Sequence, residues 1–541
     1  MKDISSTGSF VDFTLENFIY VDKTVYIPQL VKLKRVFISR PRRFGKSLTL
    51  DTIATLFETG VEPYFKGTWI YDKWTEPTYP VLRLNFLNFD KNSLEKFNNK
   101  LNSKITEFAE LNQVTTYKEK EEAEDSIDHL LEQLRLEGRQ IVILIDEYDC
   151  QMTANINNET LYKQFQEKIK SFYANIKDKF AIKFLGITGV TRLKDVSIFS
   201  VGSDINDITN ASAYSQMIGF TRDEIKKYYI DYLKLASSYE NNCSVDDVTD
   251  TQLESMLDMM AQNYDGYCFD EDYEKKVFST WSVNKFFQTM IEKKKVQFGE
   301  YWYDNGGLPS ILVNYLKTHE LNIFEYLDKD KFLKVSSDDF KNPTALTTIN
   351  QNVLMCQTGY LTLRSDLNKT STVALGIPNG EIYKALNRLL ANNIFKGNTD
   401  ITDDYGRSLL EVGTVDDIIN LFNSALNSVS YDNYPIVSES SVQNMLKLYL
   451  LGAHQEVLSE VHEAKGRADL VVNTDNRRIV FEFKYAKNEI EAESKLLDAV
   501  EQIKTRDYGN ILPKKNELIR IAAVFNADPK VRAFTENQIV P

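Results

Sequence analysis

The sequence predicts an α/β protein in which a mostly parallel sheet wrapped by helices is followed by a helical and winged-helix-like middle region and a second α/β domain. Three observations support this fold class. Short apolar runs alternate with helical patterns over residues 1–220, helical spacing dominates from residue 221, and strand-like alternation returns after residue 431. At about 150 residues per domain, a chain of 541 residues has room for three or four domains.

The first strand and helix are joined by a loop that matches phosphate-binding loops. The run RVFISRPRRFGKS, residues 35–47, leads from an apolar strand into Gly45-Lys46-Ser47 and then into the helical pattern LTLDTIATLF. In such loops backbone N–H groups and a helix amino terminus face the phosphates, the lysine reaches the β- and γ-oxygens, and the serine hydroxyl holds Mg²⁺. Arg40 stands where the GxxxxGK[ST] pattern has its first glycine, so this loop is a variant form.

Further cations lie in or near this loop. Arg42 and Arg43 add positive charge for a phosphate ligand, or pair with the acidic surface of the protein. A third apolar run at residues 181–190 leads to Thr191 and Arg192, where NTPases of this kind place a polar or cationic group that senses the γ-phosphate. Thr188 and Arg192 are the candidates for that group. An ordinary strand terminus explains these two residues equally well.

A second apolar run, IVILIDEYDC at residues 141–150, is typical of a strand buried on both faces. It ends in Asp146 and Glu147, two carboxylates that are costly to bury. Beside a phosphate loop, Asp146 can hold the water shell of Mg²⁺ while Glu147 orients or deprotonates the attacking water. Acidic residues that merely end a strand at the surface are the alternative. The two motifs together predict ATP and Mg²⁺ as ligands.

The middle of the chain becomes helical at TRDEIKKYYIDYLKLA, where Thr221 is predicted to cap a helix with Glu224 three residues later. Farther on, an apolar helix precedes YLTLRS and TVALGIP, two strands joined by a polar turn, which indicates a small winged-helix element. These shifts predict four regions: a nucleotide-binding domain at 1–220, a helical lid or extension at 221–345, a winged-helix-like and helical connector at 346–430, and a carboxyl-terminal domain at 431–541.

The run EVHEAKGRADLVVNTDNRRIVFEFKYA, residues 460–486, contains a second group of charged side chains. Asp469 opens one strand, and period-two geometry puts Glu482 and Lys484 on one face of the next. Two carboxylates suit Mg²⁺, with Mn²⁺ as an alternative metal, and an ammonium group neutralises charge on a water or a phosphate oxygen. The pattern indicates phosphodiester cleavage, and the charged outer face of a hairpin is the alternative.

Other short motifs follow one another along the chain: FIYVDKT at 18–24, YPVLRLNF at 79–86, ITGVTRLKDVSIFS, YDGYCF at 264–269, WSVNKFF, YWYDNGG, QTGYLTL and EQIKTRDY. With the motifs above, they resemble the bacterial family that joins an AAA-ATPase-like domain to a PD-(D/E)XK nuclease-superfamily domain. The resemblance covers nearly the full length. It implies a P-loop NTPase with a parallel sheet and a restriction-endonuclease-like α/β domain at the carboxyl end.

In that family the first glycine of the phosphate loop is usually missing, so Arg40 does not count against nucleotide binding. The resemblance implies an ATP site formed by Lys46, Ser47, Asp146 and Glu147. It also implies a nuclease centre formed by Asp469, Glu482 and Lys484. The resemblance further implies a catalytic role for Gln502, which fits a helix motif of such nucleases. An additional acidic residue of the nuclease centre is implied as well, either Glu456 or Glu460.

Composition limits the functional classes. The net charge of −14 argues against a protein that binds nucleic acid with its whole surface. A local cluster near the last motifs either contacts backbone phosphates or consists of solvated turn residues: Lys465, Arg467, Arg477, Arg478, Lys484 and Lys487. Four dispersed cysteines predict no disulfide frame or zinc site. No apolar run approaches the roughly 18 residues that span a bilayer, and an apolar signal core is absent, so we expect a cytoplasmic protein without a membrane partner.

The sequence thus predicts an ATPase coupled to a metal-dependent nuclease that acts on nucleic acid, with DNA as the expected partner. A nucleotide-dependent switch or scaffold, whose terminal domain binds without cutting, is the main alternative, and an ATPase that remodels protein complexes is another. ATPases of this architecture often use an arginine from a neighbouring subunit, which makes a homo-oligomer an additional expectation.

Overall fold

The computed structural model describes most of the chain, namely residues 1–176, 179–193, 205–304, 310–316, 319, 323–343, 345–369, 371–395, 405–453, 455–463, 466–509 and 517–541. It divides into two compact units. The first consists of Met1–His319 with Phe332–Ile382, and the second of Glu320–Lys331 with Tyr383–Pro541. The finer four-part division at residues 220, 345 and 430 stays a prediction.

A parallel five-stranded sheet organises the first unit among the residues described. Its strands are β1 (Arg35–Ser39), β2 (Val81–Asn85), β3 (Ile141–Asp146), β4 (Ile182–Gly189) and β5 (Asn206–Asp207). They lie in the order β2-β3-β4-β1-β5, and every pairing is parallel. All residues of β1 and β3 are buried, which explains their continuous apolar runs. The predicted parallel sheet is therefore confirmed.

Helices connect and cover these strands. They are α1 (Phe10–Leu15), α2 (Ile27–Leu33), α3 (Lys46–Thr59), α4 (Leu94–Leu111), α5 (Ala123–Leu136), α6 (Cys150–Ala154) and α7 (Glu159–Ile176). Because the strands are parallel, their carboxyl ends share one edge of the sheet, which we call the carboxyl edge. The phosphate loop leaves β1 at this edge, and the acidic pair ends β3 there.

Helices dominate the rest of the first unit: α8 (Arg222–Tyr228), α9 (Ile230–Asn241), α10 (Asp250–Tyr264), α11 (Thr280–Lys293), α12 (Tyr301–Asp304), α13 (Ser310–Leu316), α14 (Ser337–Lys341) and α15 (Gln351–Thr358). The predicted capping box of α8 is present, since Thr221 and Glu224 each accept from the other's backbone N–H. A small antiparallel sheet adds β6 (Leu333–Ser336), β7 (Thr362–Leu363) and β8 (Thr372–Gly376) in the order β6-β8-β7. A winged-helix identity for this element stays a prediction.

The second unit is built on a mixed five-stranded sheet. Its elements are α16 (Gly380–Ile394), which starts in the first unit, α17 (Tyr405–Val412), α18 (Val415–Asn427), α19 (Glu439–Gly452), β9 (Glu456–Glu463), β10 (Gly466–Asn473), β11 (Arg477–Ala486), α20 (Glu489–Arg506), β12 (Glu517–Asn526) and β13 (Ala533–Ile539). The order is β13-β12-β11-β10-β9, and only β11 and β12 pair in parallel. Ala499 and Ile503 of α20 pack on Val480 and Ala522 of those strands.

In the part of the chain that the structure describes, no helix combines the length and the apolar character needed to cross a membrane.

Candidate nucleotide site and candidate nuclease centre

The phosphate loop connects β1 to the amino end of α3. Gly45, directly before that helix, has φ +106°, and a Cβ there would meet no atom within 4 Å. The backbone angle, rather than a steric clash, is therefore what favours glycine. The first N–H groups of α3 have no partner within the helix, so the loop and helix together present donors to an anion.

Lys46 is buried beneath this loop. Its Nζ donates to the carbonyl oxygens of Arg40 and Pro41, at 3.1 and 3.2 Å, and lies 3.7 Å from Oε1 of Glu147. The ammonium group is thereby held between the loop and the end of β3. A phosphate placed on the loop would find this cation within reach.

Three hydroxyl and carboxyl groups meet at the carboxyl edge of the sheet. Ser47 Oγ donates to Oδ2 of Asp146 at 2.6 Å, and Thr188 Oγ1 donates to Oδ1 at 2.5 Å. Strand β4 lies between β1 and β3 and pairs with both, so the strand order brings these three side chains together. A serine hydroxyl beside a carboxylate is the hard-oxygen set that suits Mg²⁺, and these residues fit that ion.

Glu147 adopts an unusual backbone conformation. Its φ is +54°, a left-handed value that costs a residue with a Cβ about 1 kcal/mol. Strain of this kind is concentrated at functional sites. Burial raises the pKa of Glu147, against the opposing charge of Lys46. The strained turn therefore places a partly desolvated carboxylate beside the cation of the phosphate loop.

Arg40 occupies the position of the missing glycine and is fully buried. Its Nη1 donates to the carbonyls of Ser39 and Thr209, at 2.9 and 2.5 Å, and its guanidinium lies 4.2 Å from the ring centre of Phe269. Burial lowers its pKa. The side chain thus ties the phosphate loop to neighbouring segments, a role that nothing in the local sequence indicated.

The remaining predicted cations differ in their surroundings. Arg42 and Arg43 both line a cavity beside the loop, and the guanidinium of Arg43 lies 4.5 Å from the ring centre of Trp281. Arg192 forms an ion pair with Asp207, and its backbone N–H donates to Gln357. The role of Arg192 at the γ-phosphate stays a prediction.

A cavity of about 390 Å³ adjoins Lys46 and Ser47. The FIYVDKT motif forms one wall through Ile19, Tyr20 and Val21, and Met217 to Phe220 form another. Its volume is in the range of small-molecule and cofactor sites. Sequence reasoning assigned no function to these wall residues, although the motif at 18–24 was the signal that could have found them.

The second group of predicted residues meets on β10 and β11. Asp469 Oδ2 accepts from the backbone N–H of Phe483 at 2.8 Å, and Nζ of Lys484 lies 2.7 Å from Oε1 of Glu482. Strands β10 and β11 pair with Leu470 opposite Phe481, which places Asp469 beside Glu482. Glu482 and Lys484 share a face, as period two requires.

Electrostatics at this centre are dominated by Glu482, which has no solvent exposure. Burial raises its pKa to about 7, the charge of Asp469 adds to the shift, and the bond to Lys484 opposes it. Its Oε2 makes no hydrogen bond within the described residues. A buried carboxylate oxygen without a donor is costly, and a divalent cation would satisfy it. Asp469 and Glu482 therefore fit a metal.

A third carboxylate near this centre was missed. Glu439, the first residue of α19, has its Oε1 3.5 Å from Nζ of Lys484. The family resemblance implied Glu456 or Glu460 as the additional acid. Glu456 pairs with Asn473, four positions along β10 from Asp469, so the register separates it from the centre. The Glu460 side chain and Lys465 lie outside the described part. The available signal was an acidic residue after a serine cap, Ser438.

Gln502 lies on α20, next to β11 and β12. Its Nε2 donates to the hydroxyl of Tyr508 at 3.3 Å, and Nη1 of Arg506 donates to the same hydroxyl at 2.8 Å. The Tyr508 bond raises the pKa of Arg506, with smaller contributions from the charges of Glu482 and Asp469. The structure thus brings Arg506 into the electrostatic field of the centre and bonds Gln502 to Tyr508.

Comparison with known proteins agrees with this arrangement. Residues 5–199 match the family described as predicted AAA-ATPase, and residues 437–535 match the PD-(D/E)XK nuclease superfamily. A protein of Azotobacter chroococcum mcd 1, called "Uncharacterized protein in vnfD 5'region", is 26% identical over 533 residues, which cover 95% of this chain and 94% of that protein.

Among solved structures, Cdc6p from Pyrobaculum aerophilum aligns over 66% of this chain and 88% of its own, with 10% identity and a TM-score of 0.22. That score is too low to support an argument. The family matches and the strand order together give the conclusion that the sequence motifs predicted. The chain carries an AAA-ATPase-like domain at its amino end and a PD-(D/E)XK nuclease-superfamily domain at its carboxyl end.

Proposed function

We propose that this protein binds and hydrolyses ATP in its first unit and cleaves phosphodiester bonds of DNA at a metal-dependent centre in its second, in the cytoplasm. The observation that carries the proposal is Glu482, whose Oε1 accepts from Lys484 while its buried Oε2 has no donor within the described residues. A structural ion pair gains nothing from a second, unsatisfied oxygen, whereas a metal ligand needs one.

In the ATP site, the loop N–H groups and the amino end of α3 hold the phosphates, and Lys46 offsets their charge. Ser47 and Asp146 would hold Mg²⁺, which would neutralise charge that develops on the phosphates. Glu147 accepts a proton from, or orients, the attacking water, and its raised pKa moves it closer to the working range of a base. Thr188 keeps Asp146 in place through its hydroxyl.

The adjoining cavity is the proposed site of the adenine base. Ile19, Val21 and Met217 offer apolar surface for the ring, and the cavity opens onto the loop residues Lys46 and Ser47. A base held there would be tethered to phosphates on the loop. We therefore expect a nucleotide, rather than free phosphate or pyrophosphate, to be the preferred ligand.

In the second unit, Asp469 and Glu482 would hold a divalent metal that, when bound, polarises the phosphoryl group and acidifies water. Lys484 places its ammonium within 2.7 Å of Glu482, where it neutralises charge on a substrate oxygen. Burial of Glu482 excludes bulk water from one side of the centre. Glu439, with its Oε1 3.5 Å from Nζ of Lys484, helps to position that ammonium group.

One observation favours the alternative of a nucleotide-dependent switch or scaffold with a non-cleaving terminal domain. Among the residues described, no group of three or more His, Cys, Asp or Glu side chains is arranged to hold a metal. On the nuclease proposal, a backbone carbonyl and water must therefore complete the coordination of Asp469 and Glu482, as Mg²⁺ commonly accepts.

The deciding experiment measures cleavage of linear, circular and single-stranded DNA with Mg²⁺ or Mn²⁺, with and without ATP. We expect the wild type to cut and Lys484→Ala to lose at least about 100-fold in rate. Lys530→Ala, an exposed lysine in the turn between β12 and β13 and outside the cationic cluster, is the matched control and should cut like the wild type. Lys46→Ala shows whether ATP controls cleavage.

Absence of cleavage under every condition, with ATP hydrolysis retained, would replace the nuclease proposal by the scaffold. An ATPase rate unchanged by Lys46→Ala and by Glu147→Gln would reject the nucleotide site itself. Sedimentation with and without ATP tests the homo-oligomer that the sequence analysis expected.

A further inference from the structure

A second cavity, of about 600 Å³, lies at the end of the parallel sheet opposite to the phosphate loop. Its walls include Arg35, the first residue of β1, Ile182, the first of β4, and Gln140, which precedes β3. Because the amino ends of parallel strands share one edge, this cavity is separate from the candidate nucleotide site at the carboxyl edge. We call it the amino-edge groove.

The groove carries an excess of positive charge in a chain whose net charge is −14. Lys183 is paired with Glu76 at 2.6 Å, and Lys179 is paired with Asp128. Glu76 is the single carboxylate among the described residues of its walls. The lining cations are Lys32, Lys34, Arg35, Lys73, Lys179 and Lys183.

Three of these lysines have no carboxylate partner among the residues described: Lys32, Lys34 and Lys73, whose Nζ donates to the carbonyl oxygen of Trp69 at 3.3 Å. All three are exposed to solvent. By contrast, the carboxyl-terminal cluster that the sequence offered for nucleic acid is partly neutralised, since Arg477 pairs with Glu517 at 3.0 Å. The amino-edge groove therefore holds lysines whose charge the described part of the protein does not balance.

Aromatic side chains stand among these cations. Phe180 is 70% exposed, which is unusual for so large an apolar ring. The indole Nε1 of Trp74 is buried in the wall and donates to no acceptor in the described part of the chain. Cations beside aromatic faces are the combination that proteins use for phosphates and bases of a nucleic acid strand.

We infer that the amino-edge groove binds nucleic acid, with backbone phosphates on Lys32, Lys34 and Lys73 and a base against Phe180. The choice of nucleic acid among polyanions rests on the proposed function of the second unit. A purely structural role also has a physical basis, because lysines near the carboxyl ends of α2 and α7 stabilise helix dipoles. If that were their only role, replacing these lysines would change folding stability and leave nucleic-acid binding unchanged.

The test is fluorescence anisotropy of the full chain with a labelled DNA of about 20 nucleotides, single-stranded or duplex, in EDTA so that nothing is cut. The variant carries Lys32→Glu, Lys34→Glu and Lys73→Glu. Its control carries Lys66→Glu, Lys96→Glu and Lys100→Glu, three exposed lysines of the same unit, so both change the net charge equally. Melting curves and nucleotide binding show that each variant folds.

We expect the groove variant to bind DNA about tenfold or more weakly than the wild type, while the affinity of the control changes less than about twofold. The slope of log K against log salt concentration should become shallower by about two to three in the groove variant. Equal losses in both variants would show a global charge effect and overturn the inference, as would unchanged affinity. Displacement of the DNA by polyglutamate of equal charge, at equal concentration, would overturn the choice of nucleic acid.

Cross-linking of the unaltered chain gives a second measurement that does not depend on folding of a variant. DNA that carries 5-bromouracil should cross-link to the segments 73–76 or 179–183, and cross-links confined to the second unit would reject the groove. Cleavage assays separate this inference from the proposed function. DNA bound in the groove but never cut rejects the nuclease, whereas cutting with undiminished binding by the groove variant rejects the groove.

Discussion

Arg40 explains how the phosphate loop works without its first glycine. The pattern has a glycine there because the backbone needs freedom, yet in this protein the arginine side chain donates to the carbonyls of Ser39, at the end of β1, and of Thr209, in the segment after β5. Phe44 adds to this support by packing edge-on against Tyr267, Phe269 and Trp302. The loop therefore depends on tertiary contacts that replace a local backbone preference.

We predict that Arg40→Gly, which restores the common pattern, destabilises the first unit by on the order of 3 kcal/mol, because it leaves a cavity and two carbonyls without their donor. All four tryptophans, Trp69, Trp74, Trp281 and Trp302, lie in this unit, so denaturation followed by tryptophan fluorescence reports on it alone. The control is Arg42→Gly, which lines the nucleotide cavity and should lower nucleotide affinity with a smaller loss of stability. Equal stability of both variants would contradict the prediction.

Glu381 is a buried carboxyl group with a proton-dependent contribution to stability. It accepts from Ser282 Oγ at 2.7 Å and from the N–H of Trp302 at 2.8 Å, and burial raises its pKa to about 8. Because the folded chain holds this proton to higher pH than the unfolded chain, its stabilising effect is complete below the unfolded value. The effect is lost as pH rises through about 8.

We therefore predict that the unfolding free energy of the first unit falls by on the order of 3 kcal/mol between about pH 5 and pH 8.5, and that Glu381→Gln removes most of this slope. The amide keeps both contacts, with its oxygen toward Trp302 and its nitrogen toward Ser282. Urea titrations followed by tryptophan fluorescence at three pH values measure this pH dependence of the unfolding free energy. A slope that persists in the variant would assign the effect to other groups.

At the scale of elements, strand ends and helix starts assemble both sites. The end of β3 supplies Asp146 and Glu147, and the start of α3 supplies Lys46 and Ser47, since strand and helix meet at the carboxyl edge. In the second unit the first turn of α19 brings Glu439 toward β11. The α8 cap was readable from sequence because a capping box is local, whereas the position of α19 depends on packing against the sheet.

We predict that Glu439→Gln lowers cleavage about 10- to 100-fold, because Lys484 loses a partner that orients it and the centre loses a negative charge near its metal. Glu489→Gln, an exposed acid in the first turn of α20, is the matched control and should leave cleavage unchanged. Rates measured against Mn²⁺ concentration separate metal affinity from turnover. A loss of cleavage rate of the same size in the control would contradict a specific role of Glu439.

At the scale of the whole molecule, two compact units carry two different candidate sites. Ligands that bind one folded unit should stabilise that unit, by about 2.7 kcal/mol at a concentration of about 100 times Kd. A multidomain chain also need not unfold in one step. These two facts allow the sites to be tested separately within the full chain.

We predict that ATP with Mg²⁺ raises the unfolding temperature of the tryptophan-reported transition, and that Mn²⁺ alone raises that of the second unit in calorimetry. Asp146→Asn should abolish the first shift and Asp469→Asn the second, each without affecting the other. Shifts that both variants leave intact would mean that the ligands bind elsewhere.

The fold class, the alternation of strands and helices in the first region, the residues at the ends of β1 and β3, and the charged pair within β11 could all be predicted from the amino-acid sequence. These features are local: period two, apolar runs, caps and loop motifs depend on neighbours in the chain. The sequence also implied both family domains through motifs spread over its length.

Contacts between residues far apart in the chain could not be predicted in this way. Four features depend on packing between segments that lie up to about two hundred positions apart in the chain: the position of Glu439, the contacts of Arg40, the cavity wall at Ile19 and Met217, and the amino-edge groove. No local pattern encodes such contacts, because the free energy that fixes them comes from burial and hydrogen bonding across the fold rather than from neighbouring residues.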